Sequence, residues 1–327
     1  MKKLLALVLA LVMVLALTAC GGSGSSGSDG ASVSANLSMG TGGESGTYYA
    51  YGGVLATYLG QETDIAVTVN STGGSKANIT GIDQGDYDLA TVQSDVLGYA
   101  YNGTNTYADS GAVTSFVALG ALYAETVQIV TCNPDIKSPA DLAGKSVSVG
   151  DVGSGSYYNT VDILAAYGMT IEDDINPVYQ SFADSAESLK DGKIDAAVIT
   201  AGPPTAAITE LATNNDVYLV SIDDEHMDIL LESNPWYASY TVPAGTYNGF
   251  DEDAATICMK ATLIARADID DDVAYAIVST IFEGKDAITE LHGMGAQLDL
   301  TFATEGIAAP FSPGAARYYA ENGIDVG

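Results

Sequence analysis

Basic side chains are scarce in this sequence: 327 residues carry 11 Lys and Arg against 42 Asp and Glu, a formal charge of −31. That scarcity excludes recognition of a phosphate backbone, which needs clustered Lys and Arg to release counterions. Acidity of this size also argues against anionic membrane surfaces, and it leaves the fold open. Three cysteines cannot build a disulfide framework in so long a chain. The two histidines, His226 and His292, stand apart, with no His-x-x-x-His or Gly-x-Ser-x-Gly context around them. No apolar run reaches the roughly 20 residues a helix needs to cross a bilayer.

The longest apolar run, Leu4 to Leu17, follows Lys2-Lys3 and precedes small residues and Cys20. That order reads as a signal peptide over residues 1–19. Leu17-Thr18-Ala19-Cys20 resembles the bacterial lipobox, which implies cleavage before Cys20 and lipidation of its sulfur. Residues 20–35 then form a lipidated Cys and a flexible tether, because Gly21 to Ala31 is almost entirely Gly and Ser. Such a tether holds a folded part about 20 Å from the lipid surface. The expected localisation is extracytoplasmic, lipid-anchored at the outer face of the cell membrane or its periplasmic side.

A hydrophobic fraction of 47% excludes global disorder, and the length suggests two domains with sizeable cores. From Asn36 onward, short β-branched runs alternate with helical patterns, which predicts an α/β protein with parallel sheets. Strands are expected at 36–40, 65–70, 88–93, 115–122, 127–132, 146–150, 194–200, 217–222 and 256–266. Helices are expected at 46–59, 75–84, 156–167, 182–190, 204–212, 271–282 and 313–321.

An internal echo is the most informative feature. Gly43-Glu44-Ser45-Gly46-Thr47-Tyr48-Tyr49 returns as Val152-Gly153-Ser154-Gly155-Ser156-Tyr157-Tyr158, each copy after a strand and opening a helix. Gln84-Gly85-Asp86-Tyr87-Asp88 returns as Asp191-Gly192-Lys193-Ile194-Asp195, again leading into a strand. Two echoes in the same order, at nearly the same offset, look like two lobes of similar design. Each Gly-rich loop frees backbone N–H groups at a helix N-terminus, where the helix dipole favours negative charge. Ser and Thr add hydroxyl donors, and the tyrosines offer flat contact. Two such loops facing each other across a cleft would hold a small carboxylate without lysine.

The nucleotide motifs fail on inspection. The third glycine of Gly-x-Gly-x-x-Gly is Ser45 in one loop and Tyr158 in the other, and Gly144-Lys145-Ser146 has Pro139 where a P-loop needs glycine. No metal or cofactor site emerges: Asp223-Asp224-Glu225 before His226 and Asp270-Asp271-Asp272 read as acidic helix starts. Cys132 and Cys258 read as buried thiols in apolar strands, although export leaves a disulfide open. With neither nucleophile nor metal constellation, an enzyme is not expected. A surface adhesin would leave the loop echoes unexplained.

Over residues 36–327 the sequence resembles the TAXI group of solute receptors of tripartite (TRAP) transporters. The resemblance rests on Gly40-Thr41-Gly42-Gly43 through Tyr49, Ser71-Thr72-Gly73-Gly74-Ser75 with Asn78, and Val92-Gln93-Ser94-Asp95-Val96. It continues through Ile136 to Lys145, Gly153-Ser154-Gly155, Lys190 to Ala196, Val242 to Tyr247, Arg266-Ala267-Asp268 and Pro313 to Tyr319, in the family's order. It implies a two-lobed periplasmic-binding-protein fold of type II-like design, with a ligand cleft and two hinge crossings. Lobe 1 would comprise residues 36–124 and 250–327, and lobe 2 residues 125–249. The implied work is capture of glutamate, glutamine, 2-oxoglutarate or a similar small carboxylate by a monomer, and delivery to TRAP membrane subunits. An ABC-transporter solute-binding lipoprotein of the same fold is the alternative.

The resemblance places the site on Ser45, Tyr48 and Tyr49, on Thr72, Gly73, Gly74 and Ser75 with Asn78, and on Gln93 and Ser94. From the other lobe come Ser154, Gly155, Ser156 and Tyr157, with Pro203 and Tyr247 at the rim. Glu44, which departs from the family pattern, would supply a carboxylate to a ligand ammonium or else point to solvent. Arg266 and Arg317, the only arginines, are expected in structural ion pairs outside the site.

Overall fold

Short β-branched runs pair with their sequence neighbours first. In the computed structural model, which describes residues 33–327, β1 (Ser34–Gly40) lies parallel between β2 (Asp64–Asn70) and β3 (Leu89–Gln93). The crossovers are α1 (Thr47–Glu62) and α2 (Ser75–Gln84), and α3 (Ser94–Asn102) follows β3 directly. After β4 (Phe116–Thr131) the plan repeats with β5 (Ser146–Ser148), α4 (Gly155–Ala166), α5 (Ile171–Asp174), β6 (Asn176–Val178), α6 (Phe182–Lys190) and β7 (Ala196–Thr200). Here β5 lies parallel between β6 and β7, so both units have the same strand order. The signal peptide, Cys20 and the tether lie outside the described residues.

The sequence echo has a structural counterpart. Asp88 Oδ2 accepts the Ser38 N–H at 2.8 Å, and Asp195 Oδ2 accepts the Ser146 N–H at 2.8 Å. In both units the acid before the third strand thus ties itself to the backbone of the first strand. Gly85 and Gly192 end the preceding helices with φ of 80° and 66°, a turn that L side chains resist.

The chain continues through α7 (Ala206–Leu211), β8 (Tyr218–Leu219), α8 (Asp224–Ser233), β9 (Ala238–Val242), β10 (Ala254–Arg266), α9 (Asp271–Glu283), α10 (Lys285–Leu291), α11 (Leu300–Thr304) and α12 (Pro313–Glu321). The long strands β4 and β10 run antiparallel to each other and join the two units into one ten-stranded sheet. The C-terminal part of β4 pairs with β7 and β8, while β10 pairs with β9 at its start and β3 at its end. The sheet is therefore mixed, where the sequence pattern suggested a parallel one.

β4 also unites two expected strands, because Tyr123 to Thr126 stays extended while passing from one half-sheet to the other. The short β6, β9, α10 and α11, and α3, were not anticipated; their runs are too brief or too polar to show a period. One core buries Met39, Tyr51, Leu55, Ile277 and Tyr319 beneath α1, α9 and α12. Another buries Val127, Val147, Ile163 and Val198 against α4 and α8.

Arg266 Nε lies 3.3 Å from Asp268 and 3.6 Å from Asp88, and Arg317 Nη2 lies 2.9 Å from Asp272. Both arginines serve structural ion pairs. His226 meets Asp223, the N-cap of α8, at 2.7 Å and stacks on Tyr167. Cys132 and Cys258 are free thiols. Among the described residues no helix is long and apolar enough to cross a membrane, and no cluster of acids, His and Cys is placed to hold a metal ion.

Candidate functional site

The two echoed loops face each other. Between them lies a cavity of about 50 Å³, lined by Gly42, Gly43, Gly46, Thr47 and Tyr48 at the start of α1 and by Thr72, Gly73, Gly74 and Ser75 at the start of α2. The second unit contributes Asp151, Ser154 and Gly155 before and within α4, Ser181 and Phe182 at α6, and Thr200 and Ala201 after β7. Gln93 ends β3 into the cavity, and Glu125 of β4 closes its floor. Four helices thus present their N-termini to one space.

The local sequence explains why these ends point inward uncapped. α1 and α2 begin on Gly46 and Gly74, which have no side chain to accept the first-turn N–H groups. Gly74 takes φ of 99°, and a Cβ at Gly73 would sit 2.7 Å from the Val152 carbonyl across the cavity mouth. Ser154 does cap α4, accepting the Ser156 N–H at 3.1 Å.

Hydrogen bonds span the two units beside the cavity. The Lys76 N–H donates to the Gly153 carbonyl at 3.0 Å, the Thr47 hydroxyl to the Gly202 carbonyl at 2.7 Å, and the Ala207 N–H to the Ser45 carbonyl at 3.2 Å. Gln93 Nε2 donates to Asn159 Oδ1 at 2.9 Å, and Asn159 Nδ2 donates to Asp95 Oδ2 at 3.0 Å. Burial pushes the Asp95 carboxyl up to about 7, against the opposing pull of the Val96 N–H and Asn159.

Glu125 is the unusual group. It is 2% exposed, and its Oε2 finds no hydrogen-bond partner among the described residues. Burial raises its carboxyl well above the usual carboxylate range; Tyr123 and the Gly202 N–H beside it counter this only in part. Tyr123 Oη approaches the carboxylate outside hydrogen-bond geometry and is itself unpartnered. Tyr48 Oη, lining the same cavity, is unpartnered as well. Among the described residues, no Lys, Arg or His lines the space.

Of the residues placed in the site by sequence, Tyr48, Thr72, Gly73, Gly74, Ser75, Gln93, Ser154 and Gly155 line the cavity. Others stand behind it. Asn78 ties the loops together by donating to the Thr41 and Thr91 carbonyls and accepting the Thr72 hydroxyl. Ser94 Oγ accepts the Lys260 N–H at 3.0 Å, and Ser156 Oγ accepts the Thr200 N–H at 3.1 Å. Tyr247 is buried between Gln128 and Thr205, and Pro203 is buried after Gly202. Tyr157 lies with Tyr158 and Tyr179 in an adjoining open cleft of about 580 Å³, which shares Asp151 and Ser154 with the cavity. Tyr49 and Ser45 are half-buried outside the lining, the Ser45 carbonyl accepting the Ala207 N–H, and Glu44 is exposed.

Sequence reasoning missed Thr47, Asp151, Ser181, Phe182, Thr200 and, most of all, Glu125. A signal for Glu125 did exist: it is the only charged residue in the largely apolar run from Phe116 to Val130, and an acid is rarely buried without a purpose.

The profile of the NMT1-like family matches residues 39–323, which spans both units and every cavity-lining residue. The chain belongs to the NMT1-like family. Among solved structures, this NMT1-like chain is similar to a protein of Bordetella bronchiseptica RB50, at 16% identity and a TM-score of 0.52, over 88% of this chain and 89% of that one. It is also similar to a Streptococcus mutans structure described for glutathione import via GshT and the cystine ABC importer TcyBC. That likeness has 13% identity and a TM-score of 0.51, over 81% of this chain and 95% of the other. At such identities the likeness is one of fold, and that fold is the α/β, two-lobed solute-binding kind.

Proposed function

We propose that the chain is an extracytoplasmic receptor that captures a small solute between two lobes and hands it to a membrane permease. The observation that carries this reading is the cavity between two copies of one loop–helix unit, where helix N-termini from both copies meet. Lobe 1 is residues 36–124 and 250–327, lobe 2 is 125–249, and the long strands β4 and β10 carry the crossings. Solute favours the closed arrangement because both lobes touch it only there, so binding acts as a population shift and the chain does no chemistry itself.

The uncapped starts of α1 and α2 favour a carboxylate on the solute. Lipidation at Cys20 keeps the receptor beside its permease. The Streptococcus mutans likeness supports an ABC importer as that partner. A TRAP permease is the second reading, favoured by the order of TAXI-like motifs through residues 36–327. Genes adjoining this one decide between them: an ATPase subunit speaks for the first, its absence beside a TRAP permease gene for the second.

A thermal-shift screen of the purified protein against amino acids, dicarboxylates and oxo acids tests the receptor reading. A true ligand at a hundredfold excess over its Kd adds about 2.7 kcal/mol of stability. A selective rise in Tm is expected; no shift with any of them refutes the assigned ligand class.

A further inference from the structure

Resting on that reading, the cavity lining holds two opposite kinds of group. The first turns of α1 and α2 start on glycines with no side-chain cap, although the Lys76 N–H is already taken by the Gly153 carbonyl. Glu125 belongs to the same lining, near Tyr48 of α1, 2% exposed, with Oε2 lacking any partner among the described residues. A buried acid with an open acceptor is costly, and it persists where something arrives to pair with it. We propose that Glu125 binds a cationic group of the solute, so that the cavity takes a zwitterion of the α-amino-acid kind: carboxylate at the helix ends, ammonium at Glu125.

Size is consistent with this. At 10–15 Å³ for one water, a cavity of about 50 Å³ has room for roughly four, close to the head group of an amino acid. The groups facing Glu125 are Tyr123 of its own strand, Tyr48 of α1, Asp95 of α3 and the Gly202 N–H after β7. None carries a positive charge, so the free site favours protonated Glu125, while an incoming ammonium favours the carboxylate. Capture then releases a proton, and affinity rises with pH by at most tenfold per unit while Glu125 starts protonated. Exposed Glu44 takes no part.

Calorimetric titration of the purified chain with matched pairs tests this: L-alanine against pyruvate, and L-glutamate against 2-oxoglutarate, at pH 6 and pH 8. In at least one pair the amino acid should bind ten times more tightly than its oxo acid, and more tightly at pH 8 than at pH 6. Glu125→Gln should erase the preference, and made in a D95N background, where Asp95 no longer titrates, it should erase the pH dependence seen in D95N alone. The pH series on the unaltered protein stands even if the variant folds poorly. An oxo acid that binds equally well, or a preference that survives in E125Q, overturns the role of Glu125 and leaves the receptor reading intact. Failure of every amino acid and oxo acid to bind overturns the role of Glu125 together with the assigned ligand class.

Discussion

Gly155→Ala is the sharpest probe of the contact between the two units. Gly155 opens α4 and lies directly against the Gln93 carboxamide, so a Cβ there would overlap the amide and come within 2.7 Å of Nε2. The Gln93 side chain must move, and its 2.9 Å hydrogen bond to Asn159 is lost in a buried setting. Overpacking costs about 1–3 kcal/mol and the broken bond about 1 kcal/mol, against a gain of at most about 1 kcal/mol from helix propensity. The net is about 2 kcal/mol, borne only when the units are closed on each other, which weakens solute affinity about thirtyfold. Titration with the best solute of the thermal screen measures it. The double variant Q93A/G155A should recover part of the loss, because removing the amide removes the overlap. Affinity in G155A within threefold of the unaltered protein would refute the reasoning, as would a double variant in which the two losses simply add.

Asp95 makes stability depend on pH. Its carboxyl, raised to about 7 in the folded chain, binds a proton there that the unfolded chain releases near pH 4. Its contribution is present below that ordinary range and is lost as pH rises through 7, about 1.4 kcal/mol between pH 6 and pH 8. Chemical denaturation across that range should show this slope, and D95N should flatten it by about half a proton on average. E44Q should leave affinity unchanged, since Glu44 is exposed and outside the cavity lining; a tenfold change in titration would reinstate it. G98A should lower stability by about 1–3 kcal/mol in urea unfolding, because its Cβ would press into the Trp236 ring, with Cη2 only 2.8 Å away.

Much of the fold was legible in the chain. α2, α6 and α12 fall on the ranges their patterns predict, because each begins or ends on a strong local signal: Gly74 and Gly85, Ser181, and Ser312-Pro313. The repeat of Gly-rich loops was legible too, and with it the cavity-lining Tyr48, Ser154 and Gly155, while the resemblance to the TAXI group supplied Thr72, Gly73, Gly74, Ser75 and Gln93. Single-strand patterning could not show that residues 116–131 form one strand, since its unity comes from pairing with β10 on one side and β7 farther along.

Composition and local motifs by themselves determined that this chain is α/β, repetitive, acidic and poor in cationic recognition. They did so because charge, helix starts and glycine turns act within a few residues. Tertiary structure alone decided which groups meet. Asn78, Ser94 and Ser156 carry the right chemistry for a site and yet spend it holding loops and strands in place. Glu125, hidden in a largely apolar strand, comes to line one cavity with the helix ends from both units. Burial and the absence of a partner exist only once distant segments pack together, and those two conditions make a carboxyl group a candidate for recognition.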